Sequence, residues 1–215
     1  MSRLRIAPIV EGHGEVIAIR RLLERIWREV VGGEYLEVLQ PVRLPRSKLL
    51  TTDIKHGIKT ADDQEIERAV KFAAAKLQGR RDVPMSDLVL LLLDADTDCP
   101  KDLAPNLLRA VQEAAGAQDA TVILANVEYE TWFVGAAESL EGPLRLDAGD
   151  ADIADPEQRR YGKGWIKQRF TGTKYSETVD QVKLTARMDL EACRARCPSF
   201  DKLCRELEAR SGTTE

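Results

Sequence analysis

Carboxylates that directly follow apolar runs are the side chains of this sequence best suited to chemistry. Glu11 follows the run at residues 4–10, Asp94 and Asp96 end the run at 87–93 in LLLLDADTD, and Glu128 and Glu130 follow the run at 120–125 in NVEYE. If each run is a strand of an open parallel sheet, these acids gather at the carboxyl end, where strand-to-helix loops meet and such sheets bind ligands. Carboxylates on adjacent loops repel at close range, and a divalent cation or protonation relieves the repulsion. Hard oxygen donors favour Mg²⁺ or Mn²⁺. Asp94 and Asp96 are two residues apart, so in extended backbone both would point to one side and offer two oxygens to one ion. The structural alternative is that Asp98 and Asp102 cap the following helix, and that an acid after a strand is simply solvated.

Other Asp-x-Asp motifs fail on spacing. An EF-hand loop beginning at Asp94 needs Gly at its sixth position and Glu at its twelfth, where the chain has Cys99 and Pro105. A haloacid-dehalogenase-like phosphatase wants Thr or Val two residues after the second Asp, and Asp98 stands there. Gly12-His13-Gly14 is too short for a phosphate-cradling loop and lacks the Gly-Lys-Ser/Thr ending, which argues against nucleotide hydrolysis by the chain itself.

The elements that must position these acids follow from periodicity. Residues 4–10 read as a strand, Glu11–Gly14 as a turn, and Ile17, Ile19, Leu22, Leu23, Ile26 and Val30 as one face of a helix closed by Gly32-Gly33. A second strand is expected over 35–42, an exposed basic loop over 43–48, and a helix capped near 60–63 that runs to Gly79. Residues 87–93 are apolar without alternation, as a central strand covered on both faces should be. A helix near 103–115, a strand at 120–125 and a helix carrying Trp132, Phe133 and Ala136 inward complete four βα units. This alternation predicts an α/β fold with a mostly parallel, four-stranded sheet flanked by helices. The expected layout is an α/β core over 1–137, an acidic loop over 138–160 and a basic, helical C-terminal extension over 161–215 packed on the core. Within that extension, helices are expected over 177–196 and 200–210. In the extension Ser199-Phe200 reads as an N-cap and a core anchor, and Trp132 and Phe133 read as packing rather than base stacking.

Charge divides along the same lines. The chain of 215 residues has 32 Lys+Arg against 36 Asp+Glu, a net −4, which excludes a generic basic coat for nucleic acid. The stretch 138–155 has a net −5 and 156–187 a net +5, so contact with a phosphate backbone would be local. That basic stretch offers Arg159, Arg160, Lys163, Lys167, Arg169 and Lys174. Aromatics at 5% argue against a single-strand-binding surface built on stacking platforms. The first residues contain no secretory signal and the longest apolar run is far too short to span a bilayer, so a cytoplasmic protein with no membrane partner is expected. Cys193, Cys197 and Cys204 have helical spacing and no CxxC pair exists, so they read as packed thiols rather than a zinc site.

With Glu11-Gly12-His13-Gly14-Glu15 after the first strand and Asp94-x-Asp96 after the third, the chain resembles the Toprim fold. The nearest likeness is to the nuclease half of OLD (overcoming lysogenization defect) proteins and to small stand-alone Toprim-like proteins, which look similar also at NVEYETWFVGA, TVDQVKLTARMD and PSFDKL. The resemblance implies a Toprim-like fold and metal-dependent phosphodiester hydrolysis of DNA or RNA. In that reading Glu11, Glu15, Asp94 and Asp96 hold Mg²⁺ or Mn²⁺, Glu128 or Glu130 completes a second metal site, and Lys183 stabilises charge at the scissile phosphate. Lys174 and Lys163 are the alternative cations. OLD proteins join a Toprim half to an ATPase and this chain has no Walker motif, so the resemblance implies a separate ATPase partner and a role in anti-phage defence. Asp98 is followed by Cys99-Pro100 rather than Gly-Arg, a departure that argues against topoisomerase or primase activity. The competing reading is a non-catalytic regulatory or toxin-like nucleic-acid-binding subunit, and a homodimer is open in either case.

Overall fold

Parallel pairing of apolar strands organises the molecule. The computed structural model describes residues 3–52, 59–79, 84–146, 151–158 and 161–212. Strand β1 (Arg3–Val10) is flanked on one edge by β2 (Tyr35–Val38) and β3 (Val42–Arg43), which are followed by a separate antiparallel pair, β4 (Leu50–Thr52) and β5 (Lys59–Ala61). On its other edge β1 pairs with β6 (Ser86–Asp94), which pairs in turn with β7 (Ala120–Ala125), and every pairing in this main sheet is parallel.

The main sheet therefore has five strands, not the four expected. The strand read over 35–42 is interrupted at Gln40-Pro41, because Pro41 has no N–H to give to the ladder. Both pieces line the same edge of β1: Leu39 N–H reaches Ile6 O and Leu44 N–H reaches Val10 O, each at 2.9 Å.

Alternation along the strands builds two cores. Leu4, Ile6 and Val10 of β1 and Leu88, Leu90 and Leu92 of β6 pack beneath α1 (His13–Ile26). Ala7, Ile9, Val89, Leu91 and Leu93 face the opposite side, which is covered by α3 (Asp63–Leu77) and α4 (Pro100–Ala115), with α2 (Arg46–Leu49) beside them. Asp62 caps α3 by accepting from Glu65 N–H at 3.1 Å. The α1 side is completed by α5 (Tyr129–Gly135), α6 (Ala151–Ala154), α7 (Gly162–Arg169), α8 (Val182–Thr185), α9 (Leu190–Arg196) and α10 (Pro198–Glu208).

Three sequence expectations are corrected here. The helix expected over 177–196 is broken into a π-helical turn at Glu177–Gln181, then α8, then α9. Asp189 starts α9 afresh, its carboxylate accepting from the N–H groups of Glu191 and Ala192 at 2.9 and 3.0 Å, the short-range bond that favours Asp at helix starts. The acidic stretch is not simply a solvated loop, since Leu140, Leu144 and Ile153 are buried in the α1-side core; residues 147–150 lie outside the described residues. Ser199 is not the cap of α10, which begins after Cys197. Its hydroxyl instead takes the indole N–H of Trp132 at 2.8 Å, while Phe200 is buried against the Trp132 ring. Cys193, Cys197 and Cys204 are buried and Cys99 is exposed. Burial pushes the Cys204 thiol up to about 12 and raises that of Cys193, so both are poor nucleophiles and metal ligands.

From β1 the chain winds to the β2 edge and then crosses back to β6 on the other side. That reversal lies between β1 and β6, so the crevice of this sheet opens where Val10 passes into Glu11 and where β6 ends at Asp94.

Candidate metal centre at the sheet switch point

Four carboxylates converge on that crevice. Glu11 leaves β1 and is half-buried. Glu15 is buried in the first turn of α1, where the unpaired amides of the helix start favour negative charge. Two glycines make room around it: a Cβ on Gly12 would fall 2.2 Å from Glu15 Oε2, and one on Gly14 would fall 2.0 Å from Gln181 Oε1. Gln181, itself fully buried, donates from Nε2 to Glu15 Oε1 at 3.2 Å.

Asp94 continues the Leu88-Leu90-Leu92 alternation onto the α1 side, and its Oδ1 accepts from Tyr129 N–H at 2.8 Å. Burial first, and then the charges of Glu15, Glu130 and Glu11, raise its carboxyl well above the usual range. Glu130, one residue into α5, is 1% exposed; its Oε1 accepts from the Tyr175 hydroxyl at 2.9 Å. Burial pushes the Glu130 carboxyl up to about 7 against the opposing pull of Lys163. Glu11 is also pushed up to about 7, by burial first, with Arg46 opposing and Asp96 and Glu15 adding to the rise. Oε2 of Glu11, Glu15 and Glu130 is buried in each case with no hydrogen-bond partner among the described residues.

The other sequence-predicted acids have different surroundings. Asp96 has left-handed backbone (φ 51°), which ends the extended alternation, and its carboxylate is 45% exposed and 3.3 Å from Arg46 Nε. The pair Asp94 and Asp96 therefore does not present two oxygens from one extended segment. Glu128 caps α5: its carboxylate takes the backbone N–H of Thr131, and Oε2 takes Lys163 N–H at 2.7 Å. Glu128 is occupied in holding α7 against α5. Among the described residues no three His, Cys, Asp or Glu side chains already form a metal cage.

Among the cations, Lys183 lies at the exposed end of an ion pair with Asp180 at 3.0 Å. Lys163 is the ammonium beside the carboxylates, 3.2 Å from Glu177 Oε1. Burial works to lower its pKa, but the carboxylates of Glu130 and Glu177 outweigh burial and raise it. Lys167 and Lys174 are exposed, and Arg169 stacks over the Trp165 ring at 4.2 Å. Arg159 and Arg160 lie outside the described residues.

Nothing local in the sequence sets Arg46, Tyr175 or Gln181 apart from their neighbours. Arg46 belongs to the stretch expected to be an exposed basic loop, yet its side chain is only 12% exposed and staples the β6 exit. Its guanidinium donates to Asp94 O, to Ala95 O at 3.1 Å and to Asp98. Removing it leaves those acceptors and two carboxylates without their shared donor, so Arg46→Met is expected to cost about 2–4 kcal/mol. For a chain this long, thermal unfolding should then fall by on the order of 10 °C; a melting temperature unchanged in circular dichroism would refute the staple. For Gln181 the only sequence signal is a polar residue three before Leu184 on an inward helical face.

The arrangement is thus an open parallel α/β protein with a desolvated acidic centre at its topological switch point. The chain belongs to the DUF4276 family, a domain of unknown function whose family model matches residues 10–208. No curated protein and no solved structure matches it. Among the described residues no helix is long and apolar enough to cross a membrane.

Proposed function

We propose that this protein is a Mg²⁺- or Mn²⁺-dependent nuclease of Toprim type. One observation carries the reading: buried oxygens of Glu11, Glu15 and Glu130 lack partners among the described residues, at the crevice where Asp94 is half-buried and its carboxyl raised. A desolvated acid cluster of this kind needs protons or a cation, and an all-oxygen donor set suits a hard divalent ion. The carboxylates would have to close by side-chain rotation to share it. When bound, one or two such ions would polarise a phosphodiester and acidify a coordinated water.

The chain's own groups then have distinct tasks. Glu11, Glu15, Asp94 and Glu130 hold the metal, and Asp96 stands at the exposed rim with Arg46. Tyr175 and Gln181 each fix one oxygen of a carboxylate, Glu130 Oε1 and Glu15 Oε1, and the second oxygen of each has no partner among the described residues, which would leave it for a cation. Lys163 is better placed than Lys183 to face a phosphate here. Exposed Lys167 and Lys174, with Arg169, would follow the backbone. The OLD likeness further supports a separate ATPase partner and a role in anti-phage defence; the partner should co-purify from the native host.

Purified protein is expected to nick or linearise supercoiled plasmid with Mg²⁺ or Mn²⁺ and to lose this activity in EDTA. Charge reversal in Lys167→Glu should weaken DNA binding and flatten its salt dependence by about one phosphate contact. Tyr175→Phe should weaken Mn²⁺ binding, read by calorimetry, by about 10–100-fold without unfolding the protein. If metal binds but neither DNA nor RNA is cut with or without host lysate, the non-catalytic regulatory reading replaces the nuclease.

A further inference from the structure

The loop that leaves β6 is curled around a cation. Asp94, Asp96 and Asp98 alternate along DADTD. The left-handed backbone at Asp96 turns the segment, with Asp96 N–H on Val127 O at 2.7 Å and Asp98 N–H on Ala95 O at 3.0 Å. Its oxygens meet at the Arg46 guanidinium, which donates to Asp94 O, to Ala95 O at 3.1 Å and to Asp98, with Nε 3.3 Å from Asp96 Oδ2. Two main-chain carbonyls and two carboxylates make a hard-oxygen donor set, of the kind that holds a divalent ion.

A guanidinium and a metal ion cannot share these oxygens. Mg²⁺ draws its ligands in to about 2.0–2.1 Å around an octahedron, whereas a guanidinium keeps acceptors at about 3 Å around a flat fork. Arg46 does not lose its charge in a protein, and its side chain is only 12% exposed. Its backbone is anchored as well, because β3 pairs with Ile9 and Val10 and Leu44 N–H reaches Val10 O. Arg46 therefore follows the strand that lies beside the Glu11 exit, and its charge pulls the Glu11 carboxyl down while Asp96 pushes it up. Glu128 and Glu177 are committed too, through Lys163 N–H at 2.7 Å and Lys163 Nζ at 3.2 Å.

We infer that Arg46 takes the place of a second metal ion at the β6 exit, and that the acidic centre binds one Mg²⁺ or Mn²⁺ rather than a pair about 4 Å apart. The inference rests on the metal-centre reading above and narrows it. The positive charge that a second ion would bring to a phosphate comes instead from Arg46 and Lys163, which are fixed in the fold before any substrate arrives.

The test counts Mn²⁺ bound to the substrate-free protein by titration calorimetry, with electron paramagnetic resonance to show whether bound ions are magnetically coupled. Wild type is expected to take one ion, uncoupled. Arg46→Met, which frees the loop oxygens, is expected to take two, and Arg46→Met combined with Asp98→Asn to return to one. Because Arg46→Met also costs stability, Asp96→Asn is the companion variant. With Arg46 in place Asp96 serves the guanidinium, so Asp96→Asn should bind its single ion as tightly as wild type, whereas loss of a true ligand would weaken binding by at least about tenfold. Two ions in wild type, weakened binding in Asp96→Asn, a folded Arg46→Met that still takes one ion, or a second ion that survives Asp98→Asn would overturn the inference. Failure of the metal-centre reading looks different: wild type would then bind no Mn²⁺, which removes both, while two ions in a wild type that cuts plasmid leave the nuclease and remove only the role of Arg46.

Discussion

Asp94→Asn is expected to abolish metal-dependent cleavage while leaving a folded protein that melts higher than wild type at neutral pH in EDTA. The two effects have one cause. Asp94 is half-buried where burial and then Glu15, Glu130 and Glu11 raise its carboxyl, so ionising it costs more in the metal-free folded protein than in the unfolded chain. Asn has the same shape, is neutral at every pH, and retains an oxygen for Tyr129 N–H, the contact made by Asp94 Oδ1 at 2.8 Å. Folding should improve and catalysis should fail, because the amide brings no negative charge to a divalent ion. Losing one ligand of a metal that supplies several kcal/mol to the transition state should lower the rate by about 10²–10⁴-fold. Plasmid cleavage time courses and thermal melts of both proteins, taken on the same preparations, check the pair. A variant that cuts at the wild-type rate would remove Asp94 from the metal centre, and a lower melting point in EDTA would contradict its placement as an acid whose charge burdens the fold.

The second large effect is on stability as a function of pH and metal. Glu11 and Glu130 are both pushed up to about 7 from the ordinary 4.5. The folded protein therefore holds protons that the unfolded chain has already released, and unfolding sheds them between those two values. Their stabilising contribution is complete below about 4.5 and is lost as the pH climbs through about 7. At about 1.36 kcal/mol per unit, Glu130 accounts for about 2–3 kcal/mol, and Glu11, which solvent partly screens, for about 1. In EDTA the melting temperature should consequently fall by on the order of 10 °C between pH 5 and pH 8. Mg²⁺ or Mn²⁺ should reverse that fall at pH 8, by about 2.7 kcal/mol at a hundredfold excess over Kd, and do little at pH 5 where protons occupy the carboxylates. Scanning calorimetry over that range, with and without metal, measures both slopes. A pH-independent melting temperature in EDTA would mean the carboxylates are already paired. An equal metal effect at both pH values would place the ion elsewhere.

Much of the candidate centre is legible in the sequence because its acids sit at strand exits, and a strand's exit is where its apolar run stops. Glu11 and Asp94 were readable for that reason, as was Glu130 from its place after 120–125. Glu128 has the same position and composition, and nothing local distinguishes it. Only the approach of α7, whose Lys163 N–H reaches the Glu128 carboxylate at 2.7 Å, makes it a cap rather than a crevice-facing acid. The pair Asp94 and Asp96 shows the same limit. Alternation predicts a shared side, but the left-handed backbone at Asp96 and the Arg46 guanidinium, 48 residues from Asp94 along the chain, decide otherwise.

The choice of cation is likewise a tertiary matter. Lys163, Lys174 and Lys183 are equivalent as residues in a basic stretch, and the packing of α7 on α5 brings Lys163 to the acids while Lys183 turns to Asp180. The fold class follows from periodicity, which is local: apolar runs without alternation must be covered on both faces, and runs of that kind joined by amphipathic helices make a parallel sheet. Strand 35–42 shows where even that reading needs context, since the break at Pro41 is visible in the sequence but the return of both pieces to one edge of β1 is not. By itself, then, the sequence determined an α/β layering and a set of acids at strand ends, because both depend on residues near one another in the chain. The tertiary structure decided which acids lose their solvent, which are consumed as caps, and that Arg46, Tyr175 and Gln181 orient or staple the rest. Burial and hydrogen bonding are set by contacts between segments up to 166 residues apart, as between Glu15 and Gln181, and no local pattern encodes them.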